Sequence, residues 1–142
     1  MSTNKVPRGR KAEGIVEWRI GEEVVKADAI FIGRHGALVE LTAYKNPFVE
    51  GQTVIYTETR LDTPSGPQVF DRKKGLVSAQ YQIGPATYYG DRGTYEATLD
   101  AINKRYKLKF DIIFATEIHI ICTFDVSGEH LFAPMPISRT RS

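Results

Sequence analysis

Apolar and polar residues alternate along two neighbouring segments of the chain, residues 107–114 and 117–124. In the first segment every second residue is apolar, from Leu108 through Phe110 to Ile112. A two-residue period places the apolar side chains on one face of an extended strand, so both segments are predicted to be β-strands. Short apolar runs between residues 15 and 83, bounded by glycine, proline and asparagine, predict further strands. A chain built mainly from such segments is restricted to barrels and bent sheets.

The apolar period changes within residues 93–106. Here the apolar residues Tyr95, Leu99, Ile102 and Tyr106 follow the spacing of one helix face. The sequence therefore predicts a single amphipathic helix near residues 93–106. Together with six or seven strands, it predicts a mainly β (α+β) domain: an antiparallel barrel or bent sheet with the helix over an open end.

The basic residues are concentrated at the two ends of the chain. The net charge of the 142 residues is +2, yet Lys5, Arg8, Arg10, Lys11, Arg139 and Arg141 all lie near a terminus. This predicts a basic arm over residues 1–12, one β-rich domain over 13–133 and a Pro/Arg tail over 134–142. Basic ends on a more acidic body suit a polyanion such as nucleic acid, or an acidic partner surface; a purely solubilising role is the alternative.

The sequence also limits location and chemistry. No apolar run approaches the roughly 20 residues that cross a bilayer, and the first residues lack the apolar core of a signal peptide. We therefore expect a cytoplasmic protein, or a virion component if the role is assembly. The single cysteine, Cys122, excludes an internal disulfide and a cysteine-based zinc site.

Signatures of catalysis are absent from the sequence. There is no phosphate-binding glycine loop with a lysine, no G-x-S-x-G and no H-E-x-x-H. The three histidines, His35, His119 and His130, are far apart in the chain. We therefore expect no enzyme activity, no metal and no cofactor.

Two segments are candidates for binding. Gly33-Arg34-His35-Gly36 joins two apolar runs, which predicts a turn that exposes Arg34 and His35. If the domain binds an anion, Arg8, Arg10 and Arg34 are the cations expected at its mouth. Tyr88 and Tyr89 could form a stacking surface for a base or a partner's proline; alternatively, they pack under the helix and close the barrel end.

The first sixty residues resemble the front half of PilZ domains, small β-barrels that bind cyclic di-GMP. The resemblance rests on the arginine-bearing arm, the strand pair after it, Phe31-Ile-Gly-Arg-His-Gly36 and Val49-Glu-Gly-Gln-Thr-Val54. PilZ domains carry R-x-x-x-R in the arm and D/N-x-S-x-x-G at the start of a strand, and Gly36 matches the final glycine. Arg8 and Arg10, however, are two positions apart, and Phe31 stands at the acidic position. The resemblance implies a non-enzymatic binding or regulatory module whose ligand, if any, lies near Arg8, Arg10, Arg34, His35 and Gly36.

A structural or assembly subunit of a phage particle or other large complex is the alternative function. Long termini rich in proline and arginine can lie across a neighbour, and Ile121 adds an apolar side chain to the second face of its strand. We therefore expect a protein partner or self-assembly. A cyclic dinucleotide, or nucleic acid bound through the basic ends, is the other option.

Overall fold

A computed structural model describes residues 10–47, 50–128 and 131–132. Strands account for most of these residues. Within the described ranges there is one 3₁₀ turn, Ala115–Glu117, which joins the strand that ends at Phe114 to the strand that begins at Ile118. The twelve strands are β1 (Arg10–Lys11), β2 (Glu13–Ile20), β3 (Glu23–Lys26), β4 (Ala29–His35), β5 (Leu38–Lys45), β6 (Thr53–Arg60), β7 (Pro67–Val69), β8 (Leu76–Ile83), β9 (Ala86–Asp100), β10 (Arg105–Phe114), β11 (Ile118–Ser127) and β12 (Leu131–Phe132).

The strands form one curled sheet with the order β1-β4-β5-β6-β8-β9-β10-β11-β2-β3. All of these pairs are antiparallel; β7 is added beside β9, and β12 lies parallel to β4. The long strand β9 serves both halves of the sheet, because residues 86–89 pair with β8 and the residues after them with β10. Only Ala12 separates β1, which pairs with β4, from β2, which pairs with β11. The pairing order therefore returns to its own start, which gives the sheet its barrel-like curl.

One hydrophobic core fills the concave side of this sheet. Its largest members include Trp18, Tyr106, Phe110, Phe114 and Phe124, all of which are almost completely buried. Side chains alternate strictly between the core and the convex side along β10, as the sequence pattern predicts. Cys122 belongs to the core, and burial raises the pKa of its thiol.

The mainly β fold is confirmed, but the helix predicted near residues 93–106 is wrong. Residues 93–100 belong to β9, residues 101–104 form a turn, and β10 begins at Arg105. Tyr95 and Leu99 face the core because their spacing of four is also two full strand periods, and Tyr106 faces the core because it lies opposite Leu99 across the hairpin. Ile102 lies in the turn and is exposed. Strand alternation and a hairpin turn thus combine into a helix-like spacing. The sheet also has more strands than the predicted six or seven.

The predicted arm and tail are only partly within the described residues. Arg10 and Lys11 form β1 and pair with Ile32 and Phe31 of β4, so the end of the predicted arm belongs to the sheet. Residues 1–9 and the predicted tail, 134–142, lie outside the described residues. Nowhere in the described ranges is there a helix with the length and apolar character needed to cross a membrane.

Candidate functional site

The turn near the segment Gly33-Arg34-His35-Gly36 is shorter than the sequence predicts. β4 continues through His35 and β5 begins at Leu38, so only Gly36 and Ala37 connect the two strands. Gly36 has a φ of 59°, which suits the first central position of a two-residue hairpin turn with positive φ. Arg34 and His35 are therefore strand residues, and both are half-buried rather than fully exposed.

Arg34 faces the inside of the curled sheet. Its guanidinium donates to the carbonyl oxygen of Gly36, with Nη2 at 2.8 Å and Nε at 3.2 Å. It also interacts with the hydroxyl of Tyr106, a fully buried residue of β10. Burial raises the pKa of the Tyr106 hydroxyl, and the positive charge of Arg34 opposes that rise. Arg34 thus binds the Gly36 carbonyl and places a positive charge beside the Tyr106 hydroxyl at one end of the core.

His35 faces the convex side of the sheet. Its Nε2 lies 2.8 Å from Oε2 of Glu40, and the exposed fractions of the two side chains are 33% and 1%. Glu40 is in the middle of β5, directly opposite Gly33 of β4 and Glu58 of β6. A carboxylate is therefore buried on the side of the sheet that faces away from the core.

Tyr56 extends this group of titratable side chains onto β6. Its hydroxyl donates to Oε2 of Glu58 at 2.7 Å. Burial raises the pKa of Tyr56, and the hydrogen bond to Glu58 and the negative charge of Glu40 raise it further. We call His35, Glu40, Tyr56 and Glu58 the polar outer cluster.

Aromatic and amide side chains flank the polar outer cluster. One cross-strand row runs over five strands and consists of Phe31, Thr42, Tyr56, Gln80 and Tyr89. Phe31 packs edge to face on Tyr44, with ring centroids 5.7 Å apart. Tyr89, at the other end of the row, is 58% exposed. Neighbouring strands are about 4.8 Å apart, so Tyr56 and Tyr89 are about 10 Å apart along the row. Gln80 lies between them on β8.

Tyr88 and Tyr89, which the sequence suggests as a single stacking surface, lie on opposite faces of β9. Tyr88 faces inward and stacks on Tyr81, with ring centroids 6.1 Å apart and an angle of 27° between the planes. Only Tyr89 is available to a partner. Of the remaining candidates, Arg10 pairs with Ile32, while Arg8 lies outside the described residues.

The buried carboxylate of Glu40 is the least expected feature of the sheet. Removing a carboxylate from water costs several kcal/mol unless it is paired and hydrogen-bonded, and an apolar residue would serve stability equally well. Glu40, Tyr56 and Glu58 are not among the site residues that the sequence predicts. The available signal was the single acidic residue between Val39 and Leu41 in an apolar strand.

The convex side of the other half of the sheet has a different character. A shallow groove of about 300 Å³ crosses β9, β10 and β11 and is lined by Glu96, Lys107, Lys109 and Asp125, among others. Lys107 lies opposite Asp125, and Lys109 lies opposite Glu96, so charges of both signs are interleaved. Across the described parts of the chain, no cluster of three or more His, Cys, Asp or Glu side chains is arranged to hold a metal ion.

Comparisons of the chain with protein-family models, with curated proteins and with solved structures give no match. The resemblance to PilZ domains therefore stays a prediction.

Proposed function

We propose that the protein is a non-enzymatic binding module that contacts its partner through the polar outer cluster and Tyr89. The observation that carries this proposal is Glu40, a carboxylate that is 1% exposed on the face opposite the core. His35 and Tyr56 surround it with polar groups that are only partly buried and can reach a partner. Clusters of titratable side chains in such an environment are more frequent at functional sites than elsewhere.

The charges of the cluster favour a partner that brings cations. Glu40 and Glu58 lie directly opposite each other on neighbouring strands, and like charges in such a pair repel. An arginine side chain from a partner protein would relieve this repulsion, because its planar guanidinium donates several hydrogen bonds to carboxylates. The exposed ring of Tyr89 offers a face on which the same guanidinium can stack. We therefore propose a protein segment that contains arginine as the partner.

Cyclic di-GMP, the ligand that the PilZ resemblance implies, is the competing ligand. Its phosphates would meet two carboxylates at the polar outer cluster, whereas Arg34 lies on the other face of β4. Cyclic di-GMP binding would therefore have to use Arg8, Arg10 and Arg34, and not the cluster.

Calorimetric titration can separate the two ligands. The folded protein is titrated at low and moderate salt with a short peptide that contains two arginines, and separately with cyclic di-GMP. We expect heat from the peptide only, and a loss of affinity of about tenfold or more in Glu58→Gln, because a charge-assisted hydrogen bond contributes roughly 1.5–3 kcal/mol. Thr123→Ala, on the other half of the sheet, is the matched control. Binding of cyclic di-GMP that is lost in Arg34→Ala, without binding of the peptide, would contradict the proposal.

An assembly subunit is the second candidate function. In its favour, Ile15, Val24 and Val69 are exposed apolar side chains on three different strands. Binding of nucleic acid has less support among the described residues, because the lysines of β10 alternate with acidic neighbours instead of forming a basic stripe.

A further inference from the structure

Strand β3 is at the end of the pairing order and has one open edge. It pairs with β2 from Glu17↔Lys26 to Ile20↔Glu23, and within residues 10–47 and 50–128 no strand pairs with its other edge. β4 follows β3 along the chain, and β5 pairs with β4 on the same side as the open edge of β3. β5 ends at Lys45, however, before it reaches β3, and the chain turns at Asn46, which has a φ of 57°. Glu23, Val24 and Lys26 are all exposed. An open strand edge is a template for pairing with another strand.

The backbone shows which groups face this open edge. The N–H of Ala27 donates to the carbonyl of Val16, so the odd-numbered residues of this segment bond toward β2. The N–H of Asp28, by contrast, donates to the carbonyl of Tyr44 on the opposite side. Because these directions alternate along an antiparallel strand, the N–H and C=O groups of Val24 and Lys26 point out of the sheet edge.

From this edge we infer that the protein forms a twofold dimer in which β3 pairs antiparallel with β3 of a second copy. A twofold axis perpendicular to the sheet keeps the convex faces of both copies on one side. It therefore pairs odd-numbered residues with odd-numbered residues and even-numbered with even-numbered ones. In the register centred on Val24, Val24 of one copy lies opposite Val24 of the other. In this register the outward-pointing backbone groups of both Val24 residues bond to each other.

The side chains of this segment complement themselves in the same register. Glu22 of one copy lies opposite Lys26 of the other, once on each side of the Val24 pair. Val24 is 54% exposed, and the nearest charged residues on its own face of this segment are Glu22, in the turn before β3, and Lys26, at the end of β3. Opposite charges in direct cross-strand pairs stabilise a sheet, and the twofold axis provides this pair twice. The charges thus favour a second copy of this chain over an unrelated strand.

Sedimentation velocity over a concentration series is the first test. We expect a monomer–dimer equilibrium in the 142-residue chain and a monomer in Val24→Pro. Proline at this position removes only the outward N–H, and edge strands tolerate it, so the fold is expected to persist. Circular dichroism checks that it does. A dimer that Val24→Pro leaves unchanged, or a chain that stays monomeric at every concentration, would overturn the inference.

Charge exchange tests the register. Glu22→Lys and Lys26→Glu each place like charges opposite one another twice, and we expect each to weaken the dimer by about tenfold. The double variant restores opposite charges and should recover most of the affinity. If the dimer of the double variant is as weak as the dimers of the two single variants, the register centred on Val24 is wrong.

A cysteine at residue 24 gives an independent test. Hydrogen-bonded partners in an antiparallel pair have Cα atoms about 5.5 Å apart, a distance that a disulfide can span. Val24→Cys should therefore form a covalent dimer under mild oxidation, since the native Cys122 is fully buried and does not compete. Ile15→Cys, which is similarly exposed on the same face away from the edge, is the control. Equal cross-linking of both variants would contradict the dimer.

Discussion

Arg34 and His35 are adjacent in the chain but lie on opposite faces of β4, where Arg34 contacts the carbonyl of Gly36 and His35 contacts Glu40. A single ligand on one face cannot reach both side chains. The two residues therefore serve different purposes, and substitutions at each should have separable effects. Arg34 contributes to stability at one end of the core, and His35 is part of the convex surface.

The first prediction concerns Arg34. In Arg34→Ala the buried hydroxyl of Tyr106 loses its charged neighbour, and an unsatisfied buried polar group costs about 1–3 kcal/mol. We expect the free energy of unfolding, measured by urea denaturation, to fall by that amount. Arg19→Ala, at an exposed position of β2, should change it by less than about 0.5 kcal/mol. Equal effects of the two substitutions would show that Arg34 has no special role.

The second prediction concerns the pair of His35 and Glu40. Replacing both partners of a largely buried polar pair by apolar residues is often neutral or stabilising, whereas binding of a polar partner needs the imidazole and the carboxyl group themselves. We expect the double variant His35→Leu/Glu40→Leu to keep its free energy of unfolding within about 1 kcal/mol of the parent. The same protein should no longer bind the arginine peptide in calorimetry. Retained binding would show that the partner surface lies elsewhere.

The third prediction follows from the raised pKa of Tyr56. In the unfolded chain a tyrosine ionises near pH 10, but burial and the carboxylates of Glu58 and Glu40 keep the folded phenol neutral to higher pH. The stability that this shift contributes is therefore complete below about pH 10 and is lost as the pH rises above that value.

Denaturation at several alkaline pH values measures this loss. The free energy of unfolding should fall less steeply with pH in Tyr56→Phe than in the parent protein. Tyr89→Phe is the control, because the Tyr89 side chain is exposed. The idea fails if Tyr56→Phe and the parent protein have the same slope.

The fourth prediction concerns Gly93, where β9 has just left β8 and pairs with β10. Its φ is 151°, and a Cβ atom there would lie 2.1 Å from the carbonyl oxygen of Asp111 and 2.7 Å from Cα of Ile112. Because both obstacles are backbone atoms, Gly93→Ala must force the two strands apart. We expect the free energy of unfolding to fall by more than about 3 kcal/mol, because backbone strain and overpacking both contribute. Gly66→Ala, where no atom lies within 4 Å, isolates the cost of positive φ alone.

Local alternation was sufficient to predict most of the long strands. Residues 107–114 and 117–124 were predicted from their two-residue period, and β10 and β11 cover nearly the same ranges. The apolar spacing gives the wrong structure between residues 93 and 106, because a tight hairpin turn lies inside this segment. The spacing of the apolar residues on the two strands and in the turn together resembles that of a helix. Only the partner strand distinguishes a hairpin from a helix at this spacing.

The polar outer cluster could not be assembled from the sequence. Glu40, Tyr56 and Glu58 meet through the register of β5 on β6, which depends on turn lengths and on which faces are buried. The sequence predicts His35 as a site residue from its place beside a turn, whereas its contact with Glu40 depends on a hairpin with two turn residues. Tyr88 and Tyr89 are neighbours in the sequence, but strand alternation places them on opposite faces of β9.

The pairing of β2 with β11 joins segments from opposite ends of the chain, such as Val16 with Phe124. During synthesis, Trp18 and the rest of β2 emerge long before the strand that covers them exists. A hairpin of β2 and β3 formed before β11 is made would leave its apolar face uncovered, and an isolated hairpin is only marginally stable in water. Closing such a long loop is slow, so the newly made chain passes through an interval of exposure to aggregation. We therefore expect slow refolding of a sheet in which one of the first strands pairs with one of the last.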